Sequence, residues 1–399
     1  MKVPQIINAL KCVLMALFLV STQSLGQAEL SPIERLGQFL YFDKTLSEPD
    51  GQACASCHEP RSGFADPDRY LPVSEGVKSG LFGERNSPIS AYAMYAPALH
   101  HDTAEDVWVG GQFWDGRAKG NTLGDPLADQ ALGPFLNPVE MANPDKSTVI
   151  RDVKKAKYVA LFEQVWGQGS LDDIDKAYDR VALSIAAFER TGLFAQFSSK
   201  YDAYLEACLS SGGDKNDCAK GKGKISAYVG RAYFSRLEWR GFNLFIGENN
   251  NNGLLEEGEG AMCAACHVVE WTQATDNVAV PSWAPNGRVP PLFTDFTYDN
   301  LGVPKSTHII LASNSIDRGL GAVVNAEHEN GKFKVMTVRN IELSAPYTHN
   351  GFFNTLDELV HFYNTRDVAG SVDGSADWPK PEVPETLNRD CLLYTSDAA

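Results

Sequence analysis

Cys54-Ala55-Ser56-Cys57-His58 decides the fold of this chain, and the pattern recurs as Cys263-Ala264-Ala265-Cys266-His267. Two cysteines two residues apart, followed directly by histidine, are typical of c-type haem attachment. Each thiol adds to one vinyl group of the haem, and the histidine places its imidazole beneath the iron. One copy could be half of a zinc site. Two complete copies predict two covalently bound haem c groups, with His58 and His267 as iron ligands.

The rest of the chain repeats one plan around these two motifs. Each half contains a helix, a haem motif, a long loop and another helix, and 399 residues suffice for two such units. We therefore predict a mainly α fold of two cytochrome c-like haem domains with long loops and little sheet. The domains are expected at residues 29–195 and 196–390, with the boundary near Gly192 to Ser198.

Local patterns predict individual elements within this plan. A helix is expected across residues 29–60, and the Gly- and Pro-rich stretch from Arg61 to about Ala98 should be loop. Capping-box patterns at Ser170–Asp173 and Thr355–Glu358 predict helix starts. Further helices are expected at Tyr201–Leu209 and at Ile225–Phe245.

The net charge of −16 limits the possible partners. Since no dense Lys/Arg cluster stands out, neither nucleic acid nor an anionic membrane surface is an expected partner. The charge permits a partner with a basic docking face. The sequence does not indicate an oligomeric state.

The N-terminus has the features of an export signal. Lys2 and Lys11 supply positive charge, and the apolar stretch Cys12–Val20 is too short for a stable membrane anchor. Gly26-Gln27-Ala28 offers small residues for cleavage. We predict that residues 1–28 are a cleaved signal peptide, that the protein is periplasmic, and that the mature form has no membrane span. An uncleaved N-terminal anchor is the alternative.

Three cysteines lie outside the haem motifs and the signal. Cys208 and Cys218 flank a polar loop and could form a local disulfide in an oxidising compartment, or remain as two surface thiols. Cys391 belongs to residues 391–399, which have no helical period. We expect this tail to be a truncated or misread end.

Several further stretches identify a family. They follow in a fixed order around the two haem motifs: Phe113-Trp-Asp-Gly-Arg-Ala118, Gln130–Pro134 with Asn137–Met141, Phe293-Thr-Asp295 with Asn300–Pro304, Gly331–Lys334, Arg339-Asn340, and Ala345-Pro-Tyr347 with His349-Asn-Gly351. From about Leu36 to Arg389 the chain resembles the bacterial diheme cytochrome c peroxidases and their MauG-type relatives.

This resemblance implies that the His58 haem reacts with hydrogen peroxide. Glu140 would be the acid/base group above the iron, with Gln130 and Pro134 lining the same pocket. Some relatives block this iron with a histidine from the loop after the first motif. Residues 59–99 contain no histidine, and His100 and His101 are expected to be solvated loop residues. We therefore expect an open, five-coordinate iron at the first site.

The second haem should relay electrons. The resemblance implies a ligand opposite His267 at Tyr363, fourteen positions after His349, where the ligand-switching peroxidases have methionine. Met336 is the rival ligand, and Tyr363 could instead be a core aromatic. Trp114 would be the electron bridge between the haems, although it too could be a core residue.

The resemblance also implies a calcium ion between the domains. Asn86 would supply a side-chain oxygen, and Ser344 and Pro346 would supply backbone oxygens. Oxygen ligands suit this hard cation.

Three functions follow from these expectations. The first is a peroxidase that takes electrons from a small cytochrome c or cupredoxin and reduces hydrogen peroxide through a high-valent iron at the His58 haem. The second is a MauG-type enzyme that uses the same oxidant on residues of a partner protein. The third is a non-enzymatic diheme electron carrier.

Overall fold

Helices joined by long loops make up most of the structure, a computed structural model that describes residues 29–247, 260–261, 263–275, 278–366 and 378–388. The predicted signal peptide, Cys391 and the tail lie outside the described residues. Within the described part the prediction of a mainly α protein with little sheet is confirmed.

Seven helices precede the middle of the chain. They are α1 (Pro32–Phe42), α2 (Cys54–Cys57), α3 (Pro126–Ala131), α4 (Gly133–Leu136), α5 (Lys146–Lys155), α6 (Val159–Trp166) and α7 (Ile174–Glu189).

Six further helices lie in the described part of the second half. They are α8 (Lys200–Ser210), α9 (Lys215–Lys220), α10 (Gly223–Tyr233), α11 (Arg236–Ile246), α12 (Leu320–Val324) and α13 (Leu356–Thr365). The second haem motif forms a short 3₁₀ turn, Cys263–Ala265.

The strands form three small antiparallel pairs. These are β1 (His100–Asp102) with β2 (Val107–Val109), β3 (Thr272–Gln273) with β4 (Arg288–Val289), and β5 (Tyr298–Asp299) with β6 (Phe333–Lys334). The last pair joins two of the family stretches and places Lys334 beside Trp114, whose carbonyl accepts a hydrogen bond from the Lys334 N–H (2.8 Å).

Some helix boundaries differ from those predicted. The helix expected across residues 29–60 ends at Phe42, and a 3₁₀ turn and a loop lead to α2. The N-cap of α7 is Asp173, whose carboxylate accepts from the Lys176 N–H, rather than Ser170. The capping box at Thr355 is confirmed at the start of α13.

The helix expected over Ile225–Phe245 is two helices. Ser235 interrupts it, because its hydroxyl accepts from the Glu238 N–H while the Glu238 carboxylate accepts from the Ser235 N–H. This reciprocal pair starts a new helix at Arg236. The pattern Ser-Arg-Leu-Glu was present in the sequence, but the apolar period on both sides of it favoured one long helix.

In the first half, α1 packs closely along α7. Leu36 and Leu40 are buried against the stripe Val181, Ile185 and Phe188. A Cβ atom at Gly37 would collide with the Ser184 carbonyl oxygen, so glycine permits this close approach. The packing fixes α1, which leads directly to the first haem motif.

In the second half, α8 to α11 enclose a core centred on Tyr204 and Trp239. Cys208 and Cys218 form a disulfide, which settles the choice left open by the sequence. The buried Arg339 guanidinium makes two bonds to Asp202, at 3.0 and 3.1 Å. A buried pair of this kind fixes orientation, because either partner alone would be a desolvated charge.

The described residues from Pro32 onward form one compact unit, in which the two halves contact each other directly. Arg85 bonds to Asp317, and Tyr298 bonds to the Gly110 carbonyl. None of the helices described is both long and apolar enough to cross a bilayer.

Candidate functional site

The first haem motif is held against α1 by side-chain hydrogen bonds. The Tyr41 hydroxyl donates to the His58 carbonyl (3.0 Å) and shares a bond with the Ser90 hydroxyl (3.1 Å). Cys54 and Cys57 are not bonded to each other, so both thiols are available for thioether formation. Burial raises the pKa of the Cys57 thiol to about 12 and also raises that of Cys54.

Glu140 lies beside this motif. Its negative charge adds to the rise in pKa of both Cys54 and Cys57, which places the carboxylate near the two thiols. The side chain accepts a hydrogen bond from Asn137 Nδ2 (2.7 Å), and the Glu140 carbonyl accepts from the Val77 N–H (2.9 Å). Glu140 is therefore fixed, half-buried and close to the haem attachment point, not the exposed turn residue that composition alone would suggest.

Two opposing effects set the protonation of Glu140. Burial raises its pKa, while the Arg117 charge and the Asn137 hydrogen bond lower it. The net shift is upward, which suits a carboxyl group that must exchange protons near neutral pH.

Gln130 and Pro134 lie on the two short helices before Glu140. Gln130 is near the end of α3 and Pro134 is in the first turn of α4. The Pro134 carbonyl accepts hydrogen bonds from the N–H groups of Asn137 (3.3 Å) and Met141 (3.2 Å), so Pro134 and Glu140 belong to one compact turn.

A cavity of about 530 Å³ adjoins the second haem motif. Its walls include Cys263, Cys266 and His267, and this size is within the range of cofactor sites. His267 Nδ1 donates to the Phe293 carbonyl (3.0 Å), so Nε2 is the nitrogen left for a metal. Burial lowers the pKa of the imidazole and favours its neutral, metal-binding form.

Both proposed second ligands, Tyr363 and Met336, line this cavity. Tyr363 comes from α13, an element separate from the one that carries His267. The Met336 backbone carbonyl, by contrast, acts directly on the His267 imidazole. Met336 therefore lies beside His267.

Trp114 also lines this cavity, although it belongs to the first half. Its indole N–H donates to the Asn86 carbonyl (2.8 Å), and its ring lies 6.5 Å from the His349 ring in an edge-on arrangement. Arg117, three residues later, acts on Glu140 at the first motif. Residues 113–118 therefore place the Trp114 side chain at the second site and a charge, Arg117, that acts on Glu140 at the first.

The three residues implied for calcium line the same cavity. The Asn86 side-chain N–H donates to the Pro72 carbonyl (3.2 Å), and its oxygen is left as an acceptor. The Ser344 hydroxyl donates to the Ile341 carbonyl (3.2 Å). In the described residues, no three His, Cys, Asp or Glu side chains converge on a metal position.

His100 and His101 lie on the hairpin strand β1, not in the loop that was expected. His100 is exposed, and its Nδ1 donates to the Ala98 carbonyl (2.9 Å). His101 pairs with Asp106 (3.3 Å) and lies against Trp108. Both imidazoles are therefore engaged by contacts within or next to the hairpin β1–β2.

Comparison with known proteins agrees with this arrangement. The sequence profile of the di-haem cytochrome c peroxidase family matches residues 32–208. The chain is 34% identical over 368 residues to the methylamine utilization protein MauG of Paracoccus denitrificans, covering 88% of this chain and 81% of that protein. The chain belongs to the di-haem cytochrome c peroxidase and MauG family.

Other relatives carry the peroxidase name. The cytochrome c551 peroxidase of Nitrosomonas europaea is 28% identical over 359 residues, covering 90% of this chain and 79% of that protein. The crystal structure of the diheme peroxidase BthA from Burkholderia thailandensis superposes with a TM-score of 0.67 at 27% identity, covering 90% of this chain and 77% of the other. The chain is thus an oxidoreductase of the haem peroxidase class.

The residues fit the two haem c groups of this family. Each motif offers two thiols that are not in a disulfide, and the second adjoins a cavity of suitable size. The haems supply redox chemistry, and this chain supplies the groups around them.

The sequence analysis missed three buried ionisable residues near these sites. Lys334 and His349 line the cavity, and burial lowers the pKa of Lys334 to about 7. Glu189, the last residue of α7, adds to the raised pKa of Cys54. The sequence did indicate that Glu189 is buried, because it lies four residues after Ile185 and eight after Val181, on the same face of α7.

Glu189 is held in an apolar environment. It is 4% exposed, and its Oε2 has no hydrogen-bond partner among the described residues. Burial raises its pKa to about 8; the Arg190 charge opposes the shift and Asp125 adds to it. Between about pH 4.5 and 8 the folded protein therefore holds a proton that the unfolded chain releases, so this residue makes the fold less stable as pH rises.

We predict that Glu189→Gln removes this pH dependence. Wild type and variant should be similarly stable near pH 5, and the variant should be the more stable by several kcal/mol at pH 8, since each pKa unit is worth about 1.4 kcal/mol. Urea unfolding of the holoprotein between pH 5 and 8 measures the difference. The exposed Glu206→Gln is the control, and a difference for Glu189→Gln that is constant with pH would contradict the prediction.

Proposed function

We propose that this chain is a periplasmic diheme peroxidase that reduces hydrogen peroxide to water with electrons from a small redox protein. The observation that supports it most is the hexapeptide 113–118. Trp114 lies at the cavity of the second motif, and Arg117 acts on Glu140 at the first. Residues 113–118 therefore link a path for electrons, through Trp114, to Glu140, the group that transfers protons.

At the first site, Glu140 accepts a proton from one peroxide oxygen and returns it to the departing oxygen. A haem held by Cys54, Cys57 and His58 would supply the redox chemistry of O–O bond cleavage. Asn137 and Val77 hold Glu140 in place, and burial raises its pKa, which favours a carboxyl group that can both accept and donate a proton. Gln130 and Pro134 line the pocket and exclude bulk water.

The first site is open to peroxide. The loop that follows the motif contains no histidine, and His100 and His101 are engaged in the hairpin β1–β2. No internal ligand has to leave before peroxide binds, so reductive activation is not required.

His267 and Tyr363 would hold the iron of the second haem. Tyr363 is preferred over Met336 because it stands at the position that the family resemblance assigns to this ligand, and its side chain lines the cavity. An anionic oxygen ligand stabilises oxidised iron, whereas a thioether raises the potential. Tyr363 therefore suits a haem that shares oxidising equivalents with the first site.

Trp114 is the electron bridge between the sites. Its hydrogen bond to Asn86 fixes the indole at the cavity wall. Asn86 would also supply a side-chain oxygen to a calcium ion, with carbonyl oxygens of Ser344 and Pro346 as the other protein ligands.

The proposal includes the predicted division into an N-terminal domain, 29–195, and a C-terminal domain, 196–390. It also includes export through a cleaved signal peptide. The disulfide between Cys208 and Cys218 supports an oxidising compartment such as the periplasm.

A second candidate function is oxidation of residues in a partner protein, as in MauG-type enzymes. Tyr363 and the absence of a blocking histidine favour it, and MauG of Paracoccus denitrificans shares 34% identity. The two functions differ in how long the oxidised protein persists after peroxide is added. Rapid turnover with a reduced donor protein supports the first, and slow turnover supports the second.

We predict that Glu140→Gln slows the reaction with peroxide about 10²- to 10⁴-fold, because the amide cannot transfer the proton. In wild type the rate should rise with pH through the raised pKa of Glu140, and the variant should lack that rise. Stopped-flow mixing of the oxidised holoprotein with peroxide measures both. The exposed Glu105→Gln is the control, and an unchanged rate in Glu140→Gln refutes the role.

We predict that Tyr363→Phe alters the low-spin haem signal and its reduction potential, because the phenolic oxygen is removed from the iron. Low-temperature electron paramagnetic resonance of the oxidised holoprotein detects the change. Tyr70→Phe, at a residue 94% exposed, should leave the signal as in wild type. Should Tyr363→Phe also leave it unaltered, Met336 becomes the ligand to test.

A further inference from the structure

Two segments of this acidic chain are rich in positive charge. Residues 146–157 contain five Lys/Arg and one Asp, and four of the five cations form ion pairs with carboxylates. The second segment lies in the other half of the chain. Residues 215–246 contain seven Lys/Arg and two Asp/Glu, whereas the whole chain has a net charge of −16. These residues form α9, α10 and α11. They are spread over 32 positions in sequence, and only the fold brings them together.

The outer faces of α10 and α11 combine this charge with exposed apolar side chains. Lys224, Tyr228 and Arg231 are four and three residues apart along α10, and Arg236 and Leu237 begin α11. Tyr228 is 81% exposed and Leu237 is 80% exposed. We call these five residues the basic face.

The two helices present these residues on one surface. They are joined by only Phe234 and Ser235, and both bury their inner sides in the core centred on Trp239. A Cβ atom at Gly230 would lie 2.7 Å from the Trp239 ring, so α10 and α11 are in close contact. Their outer sides are therefore neighbours in solvent.

The cations of the basic face are not neutralised locally. Lys200 pairs with Glu238, and Lys220 pairs with Glu270. Within the described residues, Lys224, Arg231 and Arg236 have neither an ion pair nor a side-chain hydrogen bond. Three uncompensated cations around two exposed apolar side chains resemble the anatomy of a protein interface, in which an apolar centre is bordered by charge.

The basic face lies close to the second haem motif. Phe245, on the inner side of α11, lines the cavity, and its ring is 6.4 Å from the His267 ring. The Ala261 N–H donates to the Leu244 carbonyl (2.7 Å) and ties the approach to the motif to the same helix. Leu237 and Phe245 are eight residues apart, about 12 Å along α11, so a partner on the basic face is separated from the cavity by that length as well as by one helix diameter of roughly 10 Å.

We propose that the basic face docks the electron-donor protein, and that this donor is a small redox protein with an acidic patch around an apolar centre. The inference rests on the proposed function and names the partner that supplies its electrons. Elsewhere the negative surface repels such a donor, so attraction at this face orients it toward the second haem. The net charge of the whole chain, by contrast, permits a partner with a basic docking face.

Charge reversal on the holoprotein tests the proposal. Arg231→Glu/Arg236→Glu is compared with Lys154→Glu/Lys157→Glu, which makes the same change of charge at exposed lysines in and after α5. The probes are two reduced small c-type cytochromes, one acidic and one basic, at saturating peroxide. Affinity is measured by calorimetry with the oxidised proteins, and turnover by kcat/KM.

For the acidic cytochrome, we expect Arg231→Glu/Arg236→Glu to lower kcat/KM and affinity about tenfold or more near 0.02 M ionic strength, and much less near 0.5 M. The control should stay within about twofold of wild type. Leu237→Ala should weaken binding with an unchanged salt dependence, because it removes apolar contact and no charge.

Three results would overturn the proposal. In the first, the acidic cytochrome responds equally to both double variants. In the second, the basic cytochrome is the better donor to the wild type, and neither double variant raises its affinity or kcat/KM. In the third, sedimentation shows that reversal dissociates a homodimer while donor turnover is intact, which makes the face a self-association surface. Peroxide turnover with hydroquinone as the electron donor tests the proposed function separately. A peroxidase oxidises hydroquinone whatever the state of the basic face, so loss of this activity would indicate failure of the proposed function and not of the docking site.

Discussion

The position of Trp114 depends on one ion-pair network between the two halves of the chain. The Arg85 guanidinium bonds to both Asp317 oxygens, at 2.6 and 2.8 Å, and to Asp115 at 2.5 Å. Asp115 follows Trp114 directly, and Arg85 precedes Asn86, whose carbonyl accepts from the indole. Because these charges are largely buried, loss of one partner would leave the others desolvated and unpaired. The network therefore keeps the indole at the cavity wall and holds together the halves that carry the two haem motifs.

Residues 113–118, which include Trp114 and Asp115, contribute differently to the two haem motifs. Toward the first motif, residues 113–118 provide Arg117, which opposes the effect of burial on the Glu140 carboxyl. Toward the second, they provide Trp114 among mainly apolar cavity walls. In the proposed mechanism, the first site would transfer protons and the second would hold and pass charge. With the donor docked on the basic face, as we propose, electrons would pass from the donor to the second haem, then through Trp114 to the first haem.

The sequence predicted those parts of the fold that depend on local chemistry. The haem motifs, the capping box at Thr355 and the buried stripe of α7 each follow from residues close together in the chain. Family motifs predicted which residues gather around the cavity, including Tyr363 and Asn86, which lie far apart in sequence. The break at Ser235 was missed because Ser235-Arg-Leu-Glu238 was not recognised as a capping box within a stretch of helical sequence. The basic face was missed because its residues are dispersed, and only the packing of α10 against α11 brings their outer sides together.

The central claim is that the two irons differ in ligation, the first open and the second closed by Tyr363. Low-temperature electron paramagnetic resonance of the fully oxidised holoprotein, recorded before any reductant is added, tests this most directly. The account predicts one high-spin ferric signal from the His58 haem and one low-spin ferric signal from the His267 haem, in equal amounts. Two low-spin signals would contradict it, because they would require an internal ligand on the iron that is assigned to meet peroxide.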